Sequence, residues 1–361
     1  MKVLITISLW LFLFNSVCAQ GEDRWFRFYN SDKTLAGFKD AEGIVKIPAK
    51  FRTFHLQGKF DNIVGVVEQE GEKYQDYYLT KSGRKLAIDS VYYWDAIADT
   101  EQEGFIRFRD RKKDKIGLLN INGDVVIPAS FDLLSRVYNG MIYTLYGAKK
   151  PDVEDEFRYN FEGGNRSLID TNNQVLIDTF EYDGRTNFYS VKISDMPDPS
   201  PLRDNFRAKK GGYYSFINYE REFRSWLKTA LLEDFTKERL LDASFSHLKQ
   251  SDNARRPSAQ EPKSVFIERN FEVIKRKLLQ LNDPGCDLFI GLGGLDYSEN
   301  NSAEFSEYFD DANESKTVQY PVFTVVIRYN SMTPASSSQD IFKFLRTSDG
   351  YKLIEIAIRN R

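Results

Sequence analysis

The sequence predicts two architectures in one chain. A β-rich N-terminal half is built from repeated hairpins stacked as an open or propeller-like array. A C-terminal α+β half follows, with helices ahead of a curved antiparallel sheet. Three observations carry this. The stretch AGFKDAEGIVKIPAKF from Ala36 returns as IGLLNINGDVVIPASF from Ile116. Prolines 197, 199 and 201 interrupt the chain within DMPDPSPLRD. Beyond them, apolar residues recur first at helical and then at alternating spacing.

The N-terminus reads as a secretory signal. Lys2 precedes a run from Val3 to Phe14, and Val17 and Ala19 are the small residues a signal peptidase reads. Residues 1–19 are therefore expected to be removed by cleavage between Ala19 and Gln20. The run is too short to cross roughly 30 Å of hydrocarbon. A lipoprotein signal at Cys18 is disfavoured by Val17 before it and by Asn15. The expected location is the periplasm, the cell surface or the extracellular space.

The remaining chain exceeds one ordinary core, so two domains are expected. Apolar residues make up 41% of the sequence and aromatic ones 14%, enough for packed interiors. Fifty Lys and Arg face 53 Asp and Glu, a balance that disfavours nucleic acid or anionic lipid as a partner. No further run approaches membrane length. Cys286 is the only cysteine beyond the signal, so no intrachain disulfide is expected and Cys286 reads as a buried small hydrophobe.

The repeat region spans residues 20–195. Gly37 aligns with Gly117, Gly43 with Gly123, Ile47-Pro48 with Ile127-Pro128, and Phe51 with Phe131, all without gaps. A worn copy, YYLTKSGRKLAIDSVYYWD, places Gly83 midway, and a fourth, RSLIDTNNQVLIDTFEYD from Arg166, has Asn173 in the glycine position. Each unit reads as a hairpin. Its turn (DAEG, TKSG, NING or DTNN) opens on a residue that can bond its own backbone. It closes on Gly or Asn, which tolerate positive φ. Pro48 and Pro128 are expected to stop the ladder. Further strands are expected at IVGVVEQ, GFIRFRD and GMIYTLYG. A lone hairpin cannot bury its apolar face, whereas stacked copies share one.

These landmarks resemble the WG (KWG) repeat, found in bacterial proteins including exported ones. The resemblance covers roughly residues 30–195, although Ala36 and Ile116 stand where the tryptophan that names the repeat would be. It implies a β array used for binding or scaffolding, with no shared catalytic residue.

A Pro-rich linker over residues 196–204 leads to the second half, residues 205–361. Phe223, Trp226, Leu227, Ala230 and Leu231 mark one helical stripe. TKERLLDASFSHLKQ is read as a second helix with Thr236 as N-cap, and VFIERNFEVIKRKLLQL as a third. CDLFIGLGGLDY, VQYPVFTVVIRY, IFKFLRTS and YKLIEIAIR alternate as strands, the last two joined at TSDG with Gly350 in the turn. The order resembles an NTF2-like cone, which implies a sheet wrapped around helices and room for a pocket.

Catalytic and metal motifs are sparse. Only His55 and His247 are present, and a zinc site would need both to meet Cys286 without paired spacing, so no metal or cofactor is expected. His247 is placed near a helix end and His55 in a loop. GLGGLDY lacks a following helix, so its glycines read as a close backbone approach within a strand. Asp310-Asp311 reads as a solvated loop. The best contact candidates are Tyr92, Tyr93 and Trp94 in VYYWD, where alternation must leave a ring outward. The function expected is an exported, non-catalytic binding or scaffold protein with protein or glycan partners at the cell envelope. The alternative is an enzyme or small-ligand binder with a C-terminal pocket lined by Asp242, His247 or Tyr297.

Overall fold

In the computed structural model, which describes residues 24–54, 56–94, 96–150, 161–251, 259–329 and 338–358, the hairpin turns share one local geometry. The N–H of Asp40 donates to the Ile44 carbonyl and the N–H of Gly43 to that of Asp40, at 3.0 and 3.1 Å. The Asp40 carboxylate accepts from the Ile44 N–H at 2.8 Å. Thr80, Asn120 and Asp170 make the same backbone pair with residues three and four ahead. Their side chains accept from the N–H of Arg84, Asp124 and Gln174 at 3.1, 3.0 and 2.8 Å. The closing residues Gly43, Gly83 and Gly123 have φ of +85°, +83° and +82°, and Asn173 has +62°. An opening oxygen that bonds the backbone and a closing residue that accepts positive φ thus suffice to set each reversal.

The first sheet holds β1 (Trp25–Tyr29), β2 (Leu35–Lys39), β3 (Val45–Arg52), β4 (Lys59–Phe60), β5 (Ile63–Glu70), β6 (Lys73–Thr80) and β7 (Lys85–Leu86), in the order β4-β1-β2-β3-β5-β6-β7. A small hairpin of β8 (Tyr93–Trp94) and β9 (Ile97–Ala98) follows. Next come a sheet of β10 (Phe105–Asp110), β11 (Lys115–Asn120) and β12 (Val125–Phe131), and one of β13 (Leu133–Leu134), β14 (Met141–Tyr146), β15 (Asn165–Asp170) and β16 (Val175–Ile177). The register repeats as well. Phe38 opposes Ile47, Leu118 opposes Ile127, and Leu168 opposes Ile177.

Pro48 and Pro128 do not stop their ladders, contrary to expectation. The strands bulge there and pairing resumes at Ala36–Phe51 and Ile116–Phe131. Gly37 and Gly117 explain how: a Cβ on them would lie 2.3 and 2.6 Å from the carbonyl oxygens of Ile47 and Ile127. The missing side chain lets the bulged backbone approach, and the missing proline N–H falls where no partner is needed.

The sheets meet through shared apolar clusters. Ile63, Tyr78 and Leu86 of the first sheet pack with Ile106 and Leu119 of the second. Ile116, Leu118 and Ile127 pack with Leu134, Ile142 and Ile169 of the third. Leu168 and Ile177 pack with Phe180, Phe188 and Phe216, leading into a fourth sheet. That sheet holds β17 (Thr186–Ser194), β18 (Arg203–Arg207) and β19 (Tyr213–Asn218) in the order β17-β19-β18. Residues 196–204, read as a linker, run between β17 and β18 and supply the first two residues of β18. The β18–β19 turn repeats the array's geometry once more. The Ala208 N–H donates to Gly212 at 3.0 Å, the Gly211 N–H donates to Ala208 at 3.1 Å, and Gly211 has φ +94°. None of the described sheets closes into a barrel.

In the second half, α1 (Tyr219–Trp226) is capped by Asn218, whose side chain accepts from the Arg221 N–H, and runs into a π-helical turn at Leu227–Leu232. Thr236 caps α2 (Lys237–Asp242) as expected. The predicted continuation is a correction: Ser244–Gln250 is a strand, β20, not a helix. Its Ser-Phe-Ser-His run has little helical preference, and Leu248 is buried where β20 pairs with two neighbours. Then come β21 (Ala259–Pro262), α3 (Lys263–Leu278), β22 (Asp287–Gly293), β23 (Val322–Tyr329), β24 (Ser338–Thr347) and β25 (Gly350–Ala357).

The sheet order is β21-β20-β25-β24-β23-β22, with β20 parallel to β25, so the sheet is mixed where an antiparallel one was expected. Gly350 turns the β24–β25 hairpin at φ +96°, as expected. α1 and α3 bury their apolar faces on the sheet, with Phe223 stacked on Phe323 at 4.4 Å and beside Phe344 and Tyr351. Among the described residues, no helix is long and apolar enough to cross a membrane.

Candidate functional site

Tyr92, Tyr93 and Trp94 lie where the chain passes from the first sheet to the second, and alternation along the strand sends their rings to different surroundings. Tyr92 is buried among Ile116, Leu118 and Leu134, with the Arg107 guanidinium 4.2 Å above its ring centre. Trp94 is 67% exposed. Tyr93 lines a groove of about 280 Å³ with Val91, Arg109, Arg111 and Asp114. The Val91–Phe108 bridge and the 2.9 Å bond from the Arg109 N–H to Ser90 hold the hairpin beside β10 and fix the groove's floor. Of the three expected contact residues, one is core, one lines the groove and one faces solvent.

The groove is polar, and its charged side chains are held in ion pairs. Arg111 pairs with Asp76 at 2.6 Å, Arg109 Nε donates to Asp114 at 2.8 Å, and Lys150 also pairs with Asp114. Burial pushes the Tyr93 phenol up, and its hydrogen bond to Asp76 adds to the shift. Burial likewise raises Asp76, against the pull of Arg111. The groove holds fixed dipoles and paired charges.

A second polar centre was not legible in the sequence. Asp99 is buried and accepts from Arg107 Nη2 at 2.6 Å, Arg107 Nε at 3.0 Å and Arg136 Nε at 2.9 Å. Arg136 also reaches across to Asp310 at 3.0 Å and Glu314 at 3.3 Å. Burial alone would raise Asp99, but the two guanidiniums hold it down to about 2. Asp310 is buried at this junction, which corrects the expectation of a solvated Asp310-Asp311 loop. No local pattern marks these residues, because their partners lie 37 and 174 positions apart.

Asp242, His247 and Tyr297, expected to line a C-terminal pocket, line neither the groove at Tyr93 nor the small cavity beside α3. Asp242 ends α2, where its carbonyl accepts from Lys352 at 2.6 Å. His247 sits on β20 rather than in a helix, opposite Pro262 at the start of α3, with its ring 3.3 Å from Glu304, and Tyr297 is 71% exposed. The cavity beside α3, lined by Phe266, Asn270 and Ile356 among others, measures about 10 Å³ and has room for about one water. Aromatic and aliphatic side chains pack together between helices and sheet.

Asp296, Glu299 and Glu355 bring carboxylate oxygens within 4.8 Å of one another. Lys343 lies 2.9 Å from Asp296 and Glu355, and Lys249 lies 3.7 Å from Glu299, so two ammonium groups offset part of the charge of the three carboxylates. Cys286 is half-buried against the main core, with its thiol pushed up by burial and by Asp283 and Asp287. The close backbone approach expected within the strand is not seen at Gly291 or Gly293; the crowded glycine is Gly294, just past β22, where a Cβ would meet the side-chain oxygens of Ser315 and Thr317 at 2.7 Å. His55, Ala19 and Gln20 lie outside the described residues.

Compared with known proteins, the chain matches no family model, no curated protein and no solved structure.

Proposed function

We propose that this chain is an exported, non-catalytic binding or scaffold protein whose WG-like β array presents a recognition surface to protein or glycan partners at the cell envelope. The observation that carries this reading is the hairpin at Tyr93 and Trp94. An indole 67% exposed stands beside a groove of about 280 Å³ whose charges are fixed by pairing. Exposed aromatics on rigid backbone provide contact area at little entropic cost, and paired arginines and carboxylates offer oriented polar groups. The closely packed interior of the α+β half favours this surface over a C-terminal pocket.

The test is binding of the purified chain to arrays of envelope oligosaccharides and of peptides, beside a Tyr93→Ala, Trp94→Ala variant. Loss of a central aromatic contact typically weakens affinity by about thirtyfold, equivalent to ~2 kcal/mol. Retained binding by a variant with an unchanged melting temperature would remove this surface from consideration.

A further inference from the structure

The turn at Asp310–Glu314 is built like those of the array although it belongs to the other half of the chain. The Asp310 N–H donates to Glu314 at 2.9 Å, the Asn313 N–H donates to Asp310 at 3.1 Å, and Asn313 has φ +64°. The Asp310 carboxylate accepts from the Ala312 and Glu314 N–H groups, each at 2.9 Å. This turn docks on the array through two arginines. Arg136 holds Asp310 and Glu314, and Arg24 faces Asp311.

The two contacts differ in quality. Arg24 is already engaged with Asp61, through bonds of 2.7 and 2.6 Å, and lies 3.6 Å from Asp311. Lys59 on β4 is no closer, at 3.9 Å. Asp61, from the β4–β5 turn, and the neighbouring Asp310 add like charge around Asp311. Lys316, on the same segment as Asp311, has its own ammonium form disfavoured by burial and by Lys59, and Glu101 lies close to Arg24. The Asp311 carboxylate is thus largely buried, with two cations near it but neither at hydrogen-bonding distance.

We propose that the joint between the array and residues 309–316 is a proton-sensitive clasp, in which Asp311 takes up a proton on docking and the joint tightens as its surroundings acidify. Burial pushes the docked carboxyl up to about 6, Arg24 and Lys59 opposing and Asp61 and Asp310 adding to the rise. A released, hydrated Asp311 returns to an ordinary value of about 3.9. The docked state therefore binds the proton more tightly, and docking strengthens as pH falls through 6 toward 4. Linkage between these two values makes docking about tenfold more favourable at pH 5 than at pH 7.5. Asp99, held near 2, stays ionised throughout that window.

Hydrogen exchange on the full chain tests this, read on the Asp310 and Lys316 amides, whose acceptors are Glu314 and Tyr308. After correction for intrinsic exchange rates, their protection should rise about tenfold from pH 7.5 to pH 5, while amides of β23–β25 change less. Asp311→Asn should abolish the rise. Asp61→Asn, which frees Arg24 for Asp311, should shrink it. Equal protection at both pH values in the wild type, or an undiminished rise in Asp311→Asn, overturns the proposal.

Discussion

The two halves of the molecule bury their apolar surface in different ways. In the array it is divided among several clusters, most shared between adjacent sheets, the largest holding nine buried residues. In the α+β half, twenty buried residues form one large cluster, beside a second of seven around Phe305 and Tyr308. A core in pieces makes stability approximately a sum of neighbour terms, so damage stays local. A continuous core transmits damage to every element that touches it. Stability in the first half is therefore expected to be graded along the chain, and across the twenty-residue core of the second to be all-or-none.

The largest expected effect tests that contrast directly. Phe223→Ala removes a ring stacked at 4.4 Å on Phe323 and touching Trp226, Phe344 and Tyr351. Truncations of this kind cost about 3–5 kcal/mol. Protection of all amides in β22–β25 should fall together when read by hydrogen exchange, with a matching shift in the urea midpoint. Ile106→Ala, buried between the first two array sheets, should also cost at least ~2 kcal/mol but expose only residues 63–119. If Ile106→Ala loosened β14–β19 equally, the sum-of-neighbours description of the array would be wrong.

The second effect falls on the junction. Arg136→Ala leaves Asp99 with Arg107 alone and releases Asp310 and Glu314. Breaking a buried pair in this way costs about 3 kcal/mol or more, because a charge is left without compensation. The pH dependence follows from the sign of each shift. Asp99 is held near 2 in the fold, so its contribution is fully present above about 4 and is lost as pH falls through 2. Glu68 behaves alike. Burial works against it, yet Lys50, Tyr77 and Lys85 hold it down to about 2. Acid titration of stability should therefore show a loss beginning below about pH 4.5 that is smaller in Asp99→Asn than in the wild type.

What the sequence disclosed follows the same division. The turns were legible because each is decided by residues within five positions, an opening Asp, Thr or Asn and a closing Gly or Asn. The bulge at Gly37 and Pro48 was legible only in part. The proline announced a break in pairing, but the return of the ladder at Phe51 depends on a backbone approach across the hairpin. The turn at Ala208–Gly212 escaped notice because no Ile-Pro follows it and β17 adds to the far side of its sheet. Ser244–Gln250 reads as helix because the preceding turns are helical, while the partner that places it inside the sheet, β25, lies roughly a hundred residues ahead. Tyr93 and Trp94 could be named from local crowding. Asp99, Arg107 and Arg136 could not, since only the fold brings them together.

Two glycine substitutions rank next and separate steric from conformational need. Gly37→Ala would place a Cβ 2.3 Å from the Ile47 carbonyl, where the obstacle is backbone, so a loss of about 1–3 kcal/mol is expected. Gly83→Ala meets nothing within 4 Å, and its cost comes from φ +83° alone, about 1–2 kcal/mol. Urea denaturation of both variants would order them, and a larger loss at Gly83 would contradict the bulge account.

The smallest expected effect is the most specific test of the claim that the units are one motif. Gly43 and Asn173 close equivalent turns, with φ of +85° and +62°. Gly43 has open space where a Cβ would project. Asn adopts this backbone region more readily than other side-chain-bearing residues, and glycine loses more conformational freedom on folding. The two terms oppose each other, so Gly43→Asn and Asn173→Gly should each change stability by less than ~0.5 kcal/mol, with opposite signs. Gly123→Asn should not behave this way. Its Cβ would meet Leu86 at 2.5 Å, so the same exchange there must displace a side chain from the cluster between the first two sheets and should cost clearly more. Thermal melts of the three variants decide the matter. Small changes of opposite sign at positions 43 and 173, together with a clear loss at 123, would show that the turns are equivalent in themselves and differ only in what their neighbours press against them.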